Sequence, residues 1–316
     1  NGTIALLLGC KALGLKGEVI TTPFTFPATV HVLSWNHITP VFADIDPDTL
    51  TLSPETIEPL ITPQTSGILG VHVYGIPCDV HGIEKLAHPR GLKIMYDGAH
   101  AFATTINGQP IAAFGDMTMY SFHATKLFHT AEGGALAVQD PALKQRIELL
   151  KNFGIKNEEK VILPGINGKM NELQAALGLS LLDELAEERS RRAEITAIYK
   201  NRLEAIEGLR LIQMPAGVSN SYQYQVVRIN AAITGVSRDA LHEKLKTFNI
   251  ITRKYFYPLC SQYPCYQHLP SAAAKHLPNA HRAASEVLTL PLFGALTDEE
   301  VHHICDLICY CLQGGQ

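Results

Sequence analysis

The chain is short of surplus charge. In 316 residues, 26 Lys and Arg stand against 30 Asp and Glu, a formal net charge of −4. No basic stripe is present to neutralise a run of phosphates, which argues against a nucleic-acid partner. No apolar run reaches the ~20 residues that a membrane helix needs, which argues against a membrane protein. Low-complexity stretches and repeats of 20–50 residues are missing too. No G-x-G-x-x-G follows a strand and there is no P-loop, so dinucleotide and nucleoside-triphosphate enzymes are disfavoured. The seven cysteines are odd in number and lack the spacing of a disulfide scaffold. A reducing, cytoplasmic setting fits them. Asn1-Gly2-Thr3 matches a glycosylation acceptor, but no leader with a basic start and a cleavage site goes with it. The first residues already read as a capped helix, so the sequence predicts that the natural chain starts earlier. What remains is an ordinary globular composition, 46% hydrophobic and 18% charged. The length suits two or three domains, or one large α/β unit with an appendage.

The first half alternates short β-branched runs with helical patterns. Strands are predicted at 18–21, 39–43, 67–73, 92–96, 116–121 and 134–139, and helices at 27–34, 54–60 and 79–87. Asp79 is placed to cap the last of these. Strands separated by helices predict an open, mostly parallel sheet covered on both faces. From Asn171 to Ile206 the pattern becomes one long helix or two joined end to end, with Leu173, Leu177, Leu181, Leu182 and Leu185 at helical spacing. Beyond Gly208 a strand (222–230), a helix (237–248), a strand (250–255) and two closing helices (278–288, 297–311) are predicted. The fold class is therefore α/β, with a large domain over 1–206 and a smaller α+β domain over 207–316.

In open α/β sheets, ligands collect beyond the carboxyl ends of the strands. Four features fall there. Asp97 ends an apolar strand, and His100 lies three residues on. Lys126 follows the strand that ends at Ser121. Asn1-Gly2-Thr3 opens a helix, whose free N–H groups and dipole favour an anion. Phe24 and Phe26 follow the first strand. A lysine, a carboxylate, an anion cradle and an aromatic plate are what a pyridoxal phosphate site supplies. Taken singly, each has a plainer explanation as a turn, a solvated loop, a cap or a core residue. A metal reading of His302, His303, Cys305 and Cys309 is weaker still. Cys305 and Cys309 share a helix face, which a core-facing amphipathic helix explains.

The blocks PVFADIDPDTL, VHVYGIPCD, YDGAHA, FGDMTMYSFHATK, EGGALAV and MNELQAALGL are together highly specific. They resemble the DegT/DnrJ/EryC1/StrS group of sugar aminotransferases, which have the pyridoxal-phosphate-dependent transferase fold of type I. The likeness runs nearly end to end and lacks only the segment that precedes the phosphate-binding helix in that group. It implies that Lys126 bonds the cofactor and that Asp97 pairs with the pyridine nitrogen. It gives His100 a hydrogen bond to the phenolic oxygen, and sets Phe26 and Ala99 on opposite ring faces. Gly2, Thr3 and Ser121 would hold the phosphate, with Asn167 reaching in from the second subunit of a homodimer. Asn1 stands where the group usually has Ser, and no Arg follows Lys126, as is usual in this group.

Lys169, Arg253, Lys254 and Tyr255 are the substrate-binding candidates, the cationic ones for a donor carboxylate and a nucleotide diphosphate. The blocks SFHATKLFHT and PGINGKMNELQAALGL look most like members that aminate a dTDP-linked 4-keto-6-deoxyhexose, with glutamate as the implied donor. Amination at C3 stays open. So do a sugar dehydratase, disfavoured because the group's dehydratases carry His in place of the lysine, and a cofactor-binding regulator without turnover.

Overall fold

The computed structural model describes residues 1–313. Its centre is a six-stranded sheet built from β1 (Glu18–Thr21), β2 (Thr39–Phe42), β3 (Thr65–Val71), β4 (Lys93–Asp97), β5 (Met117–Ser121) and β6 (Gly134–Val138). The order across the sheet is β2-β1-β3-β4-β5-β6. All neighbours run parallel except β6, which is antiparallel to β5. Strands buried on both faces need apolar residues at successive positions, and Ile68 and Leu69 show how they are used. Ile68 pairs in register with Ile20 and Ile94, and these pack toward Ile83 and Leu86. Leu69 pairs with Met95, which pairs with Met117, and these pack toward Leu6, Leu33 and Ile147. The sheet thus lies between α3 (Val80–Ala87) on one face and α1 (Gly2–Leu13), α2 (Pro27–Trp35) and α4 (Pro141–Leu150) on the other. Asp79 caps α3 by accepting from the Gly82 N–H at 3.0 Å.

α5 (Glu172–Leu203) is one continuous helix of 32 residues. Its last turns place Ile195, Tyr199 and Leu203 in a second core, around the antiparallel sheet of β7 (Leu209–Leu211), β8 (Gln225–Ile229) and β9 (Val287–Leu290). α6 (Arg238–Thr247) and α8 (Asp298–Leu312) supply Leu241, Val301, Ile304 and Cys305 to the same core. A third core joins the two sheets: Phe24, Val71 and Tyr74 meet Val226, Phe256 and Leu259 there, beside Ala280 and Ala283 of α7 (Pro278–Glu286).

Two expected elements are corrected. No strand forms at 250–255, where a single bridge joins Arg253 to Thr289 before the chain turns to pack Tyr255 and Phe256 inward. The helix expected over 278–288 stops at Glu286, and Val287 to Leu290 pair with β8 instead. The buried positions Ala280, Ala283, Ala284 and Val287 keep helical spacing across that junction, so periodicity alone cannot mark where the helix ends. In the last helix Cys305 is buried in the second core, while His302 lies against Arg202. Among the described residues no helix is long and apolar enough to cross a membrane.

Candidate active site

A cavity of about 310 Å³ opens at the carboxyl ends of β4 and β5. Gly2, Thr3, Phe26, Asp97, Ala99, His100, Ser121, Lys126 and Tyr255 all line it. One end of the cavity is built by α1. The Asn1 side chain accepts from the Ile4 N–H at 3.0 Å, which leaves the Gly2 and Thr3 N–H groups without partners inside the helix. This helix start sits against the end of β5 and the beginning of β6. A Cβ added to Gly2 would stand 2.9 Å from Ser121 Cβ, and one added to Gly134 would stand 2.7 Å from the Asn1 carbonyl carbon. Glycine is required at both places by the close approach.

Asp97 is buried and its oxygens are already oriented. Oδ2 accepts from Thr29 Oγ1 at 2.7 Å, and Oδ1 accepts from the Ala99 N–H at 3.0 Å. Thr25 Oγ1 lies 2.8 Å from Thr29 Oγ1. Since Thr29 spends its one proton on the carboxylate, Thr25 donates to Thr29, and the chain of hydroxyls points one way. Burial raises the Asp97 pKa, and the Thr29 bond, the Ala99 N–H and the charge of Lys126 pull it back. Lys126 is affected in the matching sense: burial lowers it to about 8, against the pull of Asp97. Its Nζ lies 5.9 Å from the centre of the Tyr224 ring.

His100 is held neutral, its pKa pushed well below the ordinary value by burial and then by Lys126. Its Nδ1 accepts from the Tyr74 N–H at 3.2 Å, so the neutral ring carries its proton on Nε2. The ring stacks on Phe256 at 5.6 Å and meets the Tyr224 ring edge-on at 4.9 Å. Phe26 is 56% exposed at the cavity wall, a large apolar face left open.

These residues fit pyridoxal phosphate. A buried carboxylate whose burial cost calls for a cation suits a protonated pyridine, and the unpartnered N–H groups of α1 suit a phosphate. The open Phe26 face suits a ring to stack on.

Other expected residues lie elsewhere. Lys254 Nζ pairs with Asp239 Oδ1 at 2.7 Å, and Arg253 is exposed and bridges Thr289. Asn167 and Lys169 bond each other at 2.8 Å, beside Asn152, in an exposed loop outside the cavity lining. Sequence reasoning passes over Thr29 and Tyr224. The only trace of Thr29 is its i, i+4 spacing from Thr25 at the start of α2.

The fold and the cavity together define a pyridoxal-phosphate aminotransferase architecture. Residues 1–309 match the model of the DegT/DnrJ/EryC1/StrS aminotransferase family, and the chain belongs to that family. It is 42% identical over 311 residues to the dTDP-4-amino-4,6-dideoxy-D-glucose transaminase of Escherichia coli, covering 98% of this chain and 83% of the relative. It superposes with a TM-score of 0.94 and 39% identity on DesI, solved in the presence of its TDP-sugar product, covering 100% of this chain and 80% of that one. A Streptococcus pneumoniae relative solved in a PLP form is 26% identical, with a TM-score of 0.92 over 100% of this chain and 86% of its own.

Proposed function

We propose that the protein moves an amino group from an amino acid, L-glutamate, to C4 of dTDP-4-keto-6-deoxyglucose, using pyridoxal phosphate, in the cytoplasm and as a homodimer. The observation that carries the reading is the convergence of Asp97, neutral His100, half-buried Lys126 and the start of α1 on one cavity. The similarity to a transaminase named for a dTDP-4-amino sugar supports the substrate and the carbon.

Bound there, pyridoxal phosphate supplies an electron sink for the carbon that loses a proton. The chain's own groups do the rest. Lys126 is the lysine at the cavity, so it would hold the cofactor's aldehyde carbon and, once released, carry the proton between carbons. Its lowered pKa leaves much of it neutral near pH 8, as a base requires. Thr29 and the Ala99 N–H favour the charged form of Asp97 against its burial, and that carboxylate would hold the ring nitrogen protonated. His100 Nε2 would donate a hydrogen bond to the cofactor without bringing charge, and Phe26 would shield one ring face from water. The seven free thiols suit a reducing compartment.

The dimer is supported by an apolar surface. Leu173 is 85% exposed, Leu177, Leu179 and Leu182 on the same helix are exposed, and so are Phe153, Val161 and Ile162. Patches of this kind mark interfaces. Asn167 lies in the same region and would enter the partner's site.

The test is turnover of the purified protein with added cofactor, glutamate and dTDP-4-keto-6-deoxyglucose, followed by proton NMR of the product. Nitrogen on C4 is expected. Nitrogen on C3, or no reaction with that sugar, rejects the assignment. In parallel, borohydride is expected to fix the cofactor to Lys126, with no fixation in Lys126→Ala and normal fixation in Lys151→Ala.

A further inference from the structure

Lys126 sits in a loop whose other backbone bonds stay within residues 122–133, such as Lys126 N–H to the His123 carbonyl at 2.9 Å. One distant side chain grips it from both sides. The Leu127 N–H donates to Gln223 Oε1 at 2.6 Å, and Gln223 Nε2 donates to the Thr125 carbonyl at 2.9 Å. These are the peptide groups immediately before and after the lysine. A primary amide has a donor and an acceptor side by side, so it pairs with a chain much as a neighbouring strand would. An apolar side chain satisfies neither group. Gln223 is 5% exposed, so water is poorly placed to replace it.

The neighbours of Gln223 touch the same site. Ser221 Oγ donates to the His100 carbonyl at 2.7 Å, and the Tyr224 ring faces both Lys126 and His100. A four-residue segment leading into β8 therefore braces two residues in the loops beyond β4 and β5 of the other sheet.

We propose that Gln223 is a positioning residue that clamps the main chain on either side of Lys126 and so keeps its Nζ in the cavity when the lysine is not bonded to cofactor. The proposal rests on the reading of Lys126 as the cofactor-bearing lysine. Without the clamp the loop relaxes and the amine reaches water. Its acidity then moves back toward that of an ordinary lysine, and fewer turnovers return it to the reacting carbon.

The test uses the full chain with Gln223→Met, similar in length but without the amide, and Gln223→Asn, which keeps the amide one methylene short. In cofactor-free protein, the pH midpoint of Lys126 acylation, read by peptide mass spectrometry, is expected to rise by about one unit in the Met variant. Hydrogen exchange at the Leu127 amide is expected to quicken about tenfold in both variants. In loaded enzyme kcat falls while KM for the sugar nucleotide stays within about twofold, because a transition-state step rather than binding is affected. Circular dichroism and thermal melting establish that each variant is folded. Should one fail to fold, the other carries the test. Should both fail, Leu127 exchange in the native protein carries it: an unprotected Leu127 amide overturns the clamp, and a protected one supports it. Folded variants with unchanged midpoint and unchanged exchange overturn the proposal while leaving the site reading intact. Borohydride capture at a lysine other than Lys126 in the native protein overturns both.

Discussion

Lys126 occupies a place where its charged form is costly. Burial lowers its pKa from 10.5 to about 8, so in the folded chain it gives up its proton before the unfolded chain does. Below pH 8 both states hold the proton and the full penalty applies. The penalty shrinks as pH rises from 8 to 10.5 and is gone above that. Allowing for its partial exposure, the cost is about 1–3 kcal/mol. Lys126→Met is therefore expected to stabilise the cofactor-free protein toward urea at pH 7 by an amount in that range. The gain should vanish above pH 10.5, and equal stability gains at both pH values would contradict it. At this scale the sequence is legible wherever a residue's position fixes its use. Asp97 closes a strand and Lys126 lies in the loop after one, so their place at the cavity can be read from the strand pattern. Thr29 and Gln223 cannot be found that way, because each is defined by a partner 68 or 96 residues away.

Among the elements, α1 is closely confined at its start. Its first turn lies in a slot between the end of β5 and the start of β6. A methyl group at Gly134 would stand 2.8 Å from the Gly2 nitrogen, backbone against backbone, so the helix start must shift. Gly134→Ala is thus expected to raise the Kd for pyridoxal phosphate by about 10- to 100-fold, the worth of a lost hydrogen bond to a charged group. The far-ultraviolet dichroism should be retained. Unchanged affinity would show that the α1 N–H groups do not hold the phosphate. The elements of the central sheet are readable because two-sided burial demands short apolar runs. The junction at Glu286 is not, since a helix face and a buried strand can share one apolar spacing.

For the whole molecule, the exposed leucines of α5 lead to an expectation about assembly. Leu173→Glu combined with Leu177→Glu places like charges on the apolar face, and sedimentation should show a shift from dimer toward monomer. A monomeric native protein would reject the dimer. If the site is shared, mixing Lys126→Ala with Asn167→Ala subunits should restore part of the activity once exchange has occurred. The sequence pattern conveys the α/β plan, but not the third core that joins the two sheets, because its members are scattered from Phe24 to Val287. That scatter has a consequence for how the molecule is made. The cavity takes walls from residues 1–132 and from Tyr224, Tyr255 and Phe256. The bond from Ser221 to the His100 carbonyl spans 121 residues. Contacts so far apart in sequence carry a large loop-closure cost and form late. A ribosome that has released only the first sheet has made the carboxylate, the lysine and the anion cradle, yet no enclosed cavity. The walls that enclose the cavity arrive with the last third of the chain.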